Sequence, residues 1–291
     1  AEAIEAAMKF ARKFTGKKGM VAMKGSYHGK SFGALSLTFN PKYRKAFAPL
    51  VEKVSFASFG DMDSLRSVID EDTAFIILEP IQGESGIVVA PDGFLQEVRK
   101  LCDEKGILLV FDEIQAGLGR TGRLWAGEHW NTVPDILCLA KGIAGGVPMG
   151  ATLVKPGILA AISKGEHSST FGGNPISCAA GIAALTSLTE DGLIENSKNM
   201  GEMFRQGLEK LKEKHTMIRE IRGKGLMIGI EMKFEVKDIL MGLIQEGVLM
   251  LYSGRNILRI LPPLVIKEED VTKVLHALDI VITKEEKKRD V

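Results

Sequence analysis

Cysteine is scarce in this 291-residue chain. Cys102, Cys138 and Cys178 stand far apart and form no C-x-x-C pair. That excludes a disulfide framework and offers no zinc-ligand spacing; no metal site is expected. Each lies in apolar sequence and reads as a small core residue, which fits a reducing, cytoplasmic setting. Net charge is also lacking: 38 Lys and Arg against 37 Asp and Glu leave +1. No field therefore draws the chain towards nucleic acid or an anionic membrane. No apolar run approaches the ~18 residues of a membrane span. The opening A-E-A-I-E-A-A-M-K-F-A-R is amphipathic and partly acidic, a helix and not a signal peptide. It carries no initiator Met and starts in mid-pattern, so a piece of a longer chain is expected. Hydrophobic residues at 45% and charged residues at 26% place the sequence among globular proteins, and the length supports a sizeable core.

Short apolar runs alternate with amphipathic helices. Ile4, Ala7, Met8, Ala11 and Phe14 recur at helical spacing before Gly16, and an apolar strand follows at Met20 to Met23. T-A-F-I-I-L at 73–78 runs into Glu79-Pro80. Phe94, Leu95, Val98, Leu101 and Cys102 line a helix that stops at Gly106, and I-L-L-V-F at 107–111 runs straight into Asp112-Glu113. Ile136 to Leu139 leads to Lys141. This is the signature of βαβ units and a mostly parallel sheet covered on both faces. Functional groups of such sheets collect just beyond the strand C-termini, where Asp112 and Lys141 stand. The character changes near residue 176. Helices at 176–188 and from Leu193 precede strand-like R-E-I-R-G-K-G-L-M-I-G-I-E-M, V-L-M-L and N-I-L-R-I-L-P-P. The expected division is a large domain over 1–175, then linking helices and a small α+β domain over 176–291. The charged tail from Lys284 reads as frayed helix.

Two glycine patterns suggest nucleotide binding. Gly117, Gly119 and Gly122 spell G-x-G-x-x-G, but D-E-I-Q-A separates them from the strand and no long helical period follows. G-S-Y-H-G-K-S at 25–31 is one residue short of a P-loop. A nucleotide-binding protein using this near-P-loop is the rival from another class. The stronger constellation is D-E-I-Q, L-A-K-G and S-T-F-G-G-N-P. A carboxylate closing a buried strand needs a cation, either Arg120 or Arg123 or a ligand's protonated nitrogen. Lys141 enters a glycine-rich stretch; a buried lysine there would be pushed towards a nucleophilic neutral amine, whereas a solvated one would not.

In the order Y-H-G-K-S, E-P-I-Q-G-E-S-G, D-E-I-Q-A-G-L-G-R-T-G, A-K-G-I-A-G-G-V-P-M-G, H-S-S-T-F-G-G-N-P, R-G-K-G-L-M-I-G and L-R-I-L-P-P-L-V-I, the chain resembles class III (ornithine-type) aminotransferases. These are pyridoxal-phosphate enzymes of fold type I. The resemblance runs from residue 1 to about 283, and N-P-K-Y-R-K-A-F-A-P-L at 40–50 resembles the acetylornithine and lysine-biosynthesis branch. It implies that Lys141 carries the Schiff base with pyridoxal 5'-phosphate and shuttles a proton, and that Asp112 pairs with the protonated pyridine nitrogen. Gln115 would bond the cofactor's phenolic oxygen and Tyr27 would stack on its ring. Thr170 would bind phosphate across a homodimer, with Ser169 beside the substrate. Arg259 would grip a substrate carboxylate and pair with Glu84 when that carboxylate is absent. Lys30 stands where the family has Arg as a carboxylate anchor, and offers a point charge in place of a planar fork. His28 and Glu113 read as structural. The family's N-terminal phosphate-cupping segment is expected to precede Ala1. The implied reaction moves the terminal amine of an acylated ornithine- or lysine-like donor to 2-oxoglutarate. A 4-aminobutyrate aminotransferase or an aminomutase is the alternative within this fold, and an inactive fragment acting only as a folded module is an alternative of a different class.

Overall fold

The computed structural model describes residues 1–289. The chain forms two compact units. One comprises Ala1–Gln82, Ala90–Leu118 and Trp125–Ser187; the other comprises Gly83–Val89, Gly119–Leu124 and the chain from Leu188 onward.

The first unit is built on a six-stranded sheet of β1 (Gly19–Met23), β2 (Val54–Ala57), β3 (Thr73–Leu78), β4 (Leu108–Asp112), β5 (Ile136–Leu139) and β6 (Ala151–Val154). Their order is β2-β1-β3-β4-β5-β6. All neighbours run parallel except β5 and β6. Every residue of β1, β3 and β4 is buried, which is why they read as unbroken apolar runs. The edge strands β2 and β6 are half-exposed and were not apparent from periodicity. Helix α1 (Glu2–Thr15) lays Ile4, Ala7, Met8 and Ala11 into a core with Met20, Phe75, Ile77, Val110 and Ile136. It stops where Gly16 turns left-handed at φ 70°, its N–H bonded to the Arg12 carbonyl. Helix α2 (Phe32–Leu37), α3 (Phe94–Lys105) and α4 (Pro175–Glu190) follow.

In the second unit, α5 (Leu193–Lys214), α6 (Lys237–Gln245) and α7 (Glu268–Arg289) accompany an antiparallel sheet. Its strands are β7 (Ile218–Lys224), β8 (Met227–Met232), β9 (Leu251–Ser253) and β10 (Ile257–Ile260), in the order β9-β10-β8-β7. Phe204, Leu208, Ile228, Ile230, Leu258, Leu278 and Ile282 form its core. The V-L-M-L run is not the strand its residues suggest. Gly247 takes φ 77° and the Val248 N–H bonds the Leu243 carbonyl, so 247–248 close α6, and the strand begins only at Leu251. The charged tail continues α7 to Arg289; Asp290 and Val291 lie outside the described residues. No helix among the described residues is long and apolar enough to cross a membrane.

One contact in the first unit fixes the start of α2. The Glu5 carboxylate of α1 caps α2: Ser31 Oγ donates to it at 2.5 Å, and the Gly33 and Ala34 N–H groups donate at 2.8 and 3.0 Å. A Cβ at position 33 would lie 2.1 Å from Glu5 Oε2, so only glycine admits the carboxylate. Three donors on one anion, at a helix N-terminus, make a strong cap. Glu5→Ala is expected to cost about 2 kcal/mol of unfolding free energy, read from urea denaturation; an unchanged midpoint would contradict the cap.

Candidate active site

The parallel strands of the first unit end in a row of polar residues. β1 leads through Lys24 and Gly25 to Tyr27 and His28, β3 leads to Glu79, β4 ends in Asp112, and β5 leads to Lys141. Asp112 registers with Cys138 on β5, which places Lys141 three residues beyond its neighbour. Asp112 is 4% exposed and His28 2%. His28 Nδ1 lies 2.7 Å from Asp112 Oδ2, and the Ile114 N–H donates to Oδ1 at 3.0 Å. Asp112 is felt nearby: burial, and then its charge, push the Cys138 thiol well above the usual range. The loop holding His28 is itself clamped. The Tyr27 N–H donates to Glu79 Oε1 at 3.0 Å, the His28 N–H to Thr38 Oγ1 at 2.9 Å, and Ser26 Oγ to the Leu37 carbonyl at 2.8 Å. Tyr27 is half-buried and meets Tyr43 edge-on at 6.0 Å, while the exposed Lys30 places Nζ 4.6 Å from the Tyr43 ring centre. Gln115 Oε1 is buried without a hydrogen-bond partner. Lys141 opens a 3₁₀ turn with φ 46°, a conformation sparse for a residue with a Cβ and a mark of functional strain.

In the second unit, Arg259 sits on the inner strand β10 and is 8% exposed. Its Nη1 donates to Glu84 Oε1 at 2.8 Å and to the Gly83 carbonyl at 3.2 Å. Its Nε is buried without a partner, so the guanidinium retains unused donor capacity. The Glu84 side chain is 42% exposed, which leaves it room to swing away.

Residues 1–282 match the family model "Aminotransferase class-III". Acetylornithine aminotransferase of Caldanaerobacter subterraneus subsp. tengcongensis is 43% identical over 290 residues, covering 97% of this chain and 74% of that protein. A [LysW]-aminoadipate semialdehyde/glutamate semialdehyde transaminase of Sulfurisphaera tokodaii is 43% identical, with 99% and 74% covered. The ornithine aminotransferase of Toxoplasma gondii, whose structure is described as showing partial occupancy of PLP at the active site, superposes with a TM-score of 0.95. It has 33% identity and covers 100% of this chain and 72% of that one. The chain belongs to the class-III aminotransferase family. It is an aminotransferase of α/β fold, and it spans about three quarters of the length of these relatives.

In this aminotransferase, Tyr27, Asp112, Gln115 and Lys141 come from the strand ends and loops of one sheet edge. Ser169 and Thr170 are both exposed, with Thr170 in a turn ahead of α4. Lys141 is exposed too, so burial does not prepare its amine as the buried-lysine reading required. The near-P-loop is already spoken for, since the N–H groups of Ser26, Tyr27 and His28 are bonded to Met23, Glu79 and Thr38 and cannot converge on a phosphate. Gly117, Gly119 and Gly122 lie in turns, not at the head of a helix. The side chain that meets Asp112 is His28, while Arg120 Nη1 donates to the Leu226 and Pro262 carbonyls. Sequence patterning read His28 as structural and gave Glu79 no role. Glu79 carried the same signal as Asp112, a carboxylate at the end of a wholly apolar strand.

Glu113 faces the opposite way and is 1% exposed. It accepts from the Ala126 and Gly127 N–H groups at 2.6 and 2.8 Å. Burial lifts its carboxyl from 4.5 to about 7, partly offset by those two N–H groups, with Glu128 and Asp112 adding to the rise. The folded protein therefore binds more protons here than the unfolded chain between these two values. Stability from this group is complete below about pH 4.5 and is lost as pH rises to about 7. The difference between wild type and Glu113→Gln in urea denaturation is expected to change by on the order of 3 kcal/mol across that range. A pH-independent difference would contradict the raised carboxyl.

Proposed function

We propose that this aminotransferase uses pyridoxal 5'-phosphate to move the terminal amine of an acylated ornithine- or lysine-like donor to 2-oxoglutarate, in arginine or lysine biosynthesis. The observation that carries the reading is the placement of Asp112 and Lys141 at the C-terminal ends of the adjacent parallel strands β4 and β5. The donor set fits the group: a buried carboxylate for a protonated ring nitrogen, a primary amine for an aldehyde, and the orphaned Gln115 Oε1 for the phenolic oxygen. When bound, pyridoxal phosphate supplies an electrophilic carbon and an electron-withdrawing ring. Asp112 would hold the proton on the ring nitrogen. Gln115 would meet the phenolic oxygen with its amide end, whose oxygen or N–H a half-turn of the amide selects. Tyr27, which Tyr43 braces edge-on, would supply an aromatic face to the ring. Lys141 Nζ would anchor the group and would serve as the base and acid for the proton of the donor's amine-bearing carbon.

The names of the relatives support the donor class: both an acetylornithine and a LysW-aminoadipate semialdehyde enzyme share 43% identity with this chain. A carboxylate of 2-oxoglutarate would fit Arg259 as a two-pronged partner, using the idle Nε. Glu84 would neutralise Arg259 while a donor with no carboxylate beside its reacting amine is bound. Ser169 and Lys30 would meet the substrate. Thr170 would serve the phosphate of a second copy, in a homodimer; close to it Phe171 is 80% and Ile176 76% exposed. Residues 1–175 would bind the cofactor and 176–291 the substrate's carboxylate end, in a cytoplasmic enzyme.

Two measurements test the site. Borohydride reduction after incubation with pyridoxal phosphate, followed by peptide mapping, is expected to place the label on Lys141; label on another lysine would overturn the assignment. Arg259→Ala is expected to slow the 2-oxoglutarate half-reaction about a hundredfold and the donor half-reaction far less, as for loss of a charged hydrogen bond. Glu84→Ala is expected to raise reactivity towards α-amino donors such as glutamate. Equal effects on both half-reactions would refute the pair's alternating role.

A further inference from the structure

Arg222 opens the R-G-K-G-L-M-I-G motif, which the site described above leaves without a role. The register of the small sheet shows what it faces. Gly229 on β8 pairs with Arg222 on β7 and with Arg259 on β10. Cross-strand partners share a face, so the two arginines flank a glycine on one side of the sheet. Leu251 on β9 pairs with Arg259, and Ser253, two residues on, returns to the same face. The Gly83–Val89 segment of the same unit is seated there. A Cβ at position 229 would lie 2.9 Å from the Gly86 carbonyl oxygen and 3.1 Å from Ile87 Cβ, so the backbone comes as close as only glycine allows. Gly86 and Ile87 take φ values of 96° and 58°, and Ile87 is wholly buried. The seat thus imposes a conformation that is sparse for a residue with a Cβ.

Three strands each give this segment a donor. Arg222 Nε donates to the Gly86 carbonyl at 2.8 Å, Ser253 Oγ to the Glu84 carbonyl, and Arg259 Nη1 to the Gly83 carbonyl at 3.2 Å. The two arginines differ in their counter-charges. Arg222 Nη1 donates to Glu220 Oε2 and Glu231 Oε2 at 2.8 and 2.7 Å, both on the sheet itself. Arg259 meets a carboxylate of the segment, Glu84, at 2.8 Å. Arg222 is therefore neutralised in place, and its bond to Gly86 does not depend on what Arg259 binds. Without the Arg222 and Ser253 bonds, forming the Glu84–Arg259 pair would also have to order the backbone, which weakens the pair.

We infer that Arg222 and Ser253 are positioning residues that act through Glu84: by holding the Gly86 and Glu84 carbonyls they confine the exchange to the Glu84 side chain, and so set how strongly Glu84 competes with a substrate carboxylate for Arg259. The inference rests on the alternating Glu84–Arg259 pair proposed above and adds the residues that fix its balance.

The test compares wild type, Ser253→Ala, Arg222→Met and Glu84→Ala, together with the double variants that combine Glu84→Ala with each of the others, all loaded with pyridoxal phosphate. Calorimetry gives the affinity for glutarate, a dicarboxylate with no reacting group. Single-turnover kinetics give the preference for glutamate over N-acetylornithine, and melting temperatures monitor the fold. Ser253→Ala removes one hydroxyl. It is expected to tighten glutarate binding and to raise the preference for glutamate about fivefold, as for the loss of one hydrogen bond. Arg222→Met is expected to act in the same direction at least as strongly. In the Glu84→Ala background neither substitution is expected to change either quantity by more than about twofold, because the residue through which they act is gone. The inference is overturned if both single variants match wild type in glutarate affinity and preference, or if their effects persist undiminished without Glu84. Should Glu84→Ala itself leave both quantities unchanged, the alternating pair is rejected, and this inference with it.

Discussion

A buried carboxylate is the constraint around which the first unit is arranged. Asp112 ends a strand whose every residue is shielded from water, and an isolated charge in such a place would cost many times the stability of a domain. The cost is met locally by the Ile114 N–H and at longer range by His28. Meeting it dictates much else. His28 reaches Asp112 only because the loop after β1 is pinned to α2 by Thr38 and Ser26, and α2 starts where it does because Glu5 of α1 supplies its cap. A chain of polar contacts, each short and each specific to one side chain, thus connects the first helix to the end of a central strand.

The remaining polar groups at this edge follow from topology. Parallel strands send all their C-termini to one side, so residues from four separate stretches of sequence arrive together without any local signal that they belong together. Glu79 ties down Tyr27 through its backbone, and Lys141 follows β5 in a strained 3₁₀ turn beside a glycine-rich loop. Glu113, next to Asp112 in sequence, points away and binds two N–H groups of the turn at 126–127. Adjacent carboxylates therefore serve separate ends: one faces the site, and the other fixes the turn behind it.

The second unit shows a different economy. Arg259 is planted on an inner strand, where burial makes a counter-charge necessary, yet that counter-charge comes from a partly exposed glutamate. A pair with one buried and one partly exposed member is more easily exchanged for another anion than a pair buried on both sides. The bidentate geometry of guanidinium suits a carboxylate from either source.

The sequence by itself determined the buried strands β1, β3, β4 and β5, the helices α1, α3 and α5, and the mostly parallel sheet. Fully buried parallel strands and long amphipathic helices write their environment directly into hydrophobic periodicity. It also picked out Asp112 and Lys141, since a charge at the end of an apolar run is conspicuous. Tertiary structure alone decided the rest. The half-exposed edge strands β2 and β6 carry no clear alternation, and Val248 to Met250 look like strand until the turn at Gly247 draws them onto α6. Lys141 is exposed where the chain enters a 3₁₀ turn after β5, which no spacing records. His28 became the partner of Asp112 across 84 residues of chain. Such a contact depends on strand order and loop closure, which are settled by packing of the whole sheet and not by the residues on either side.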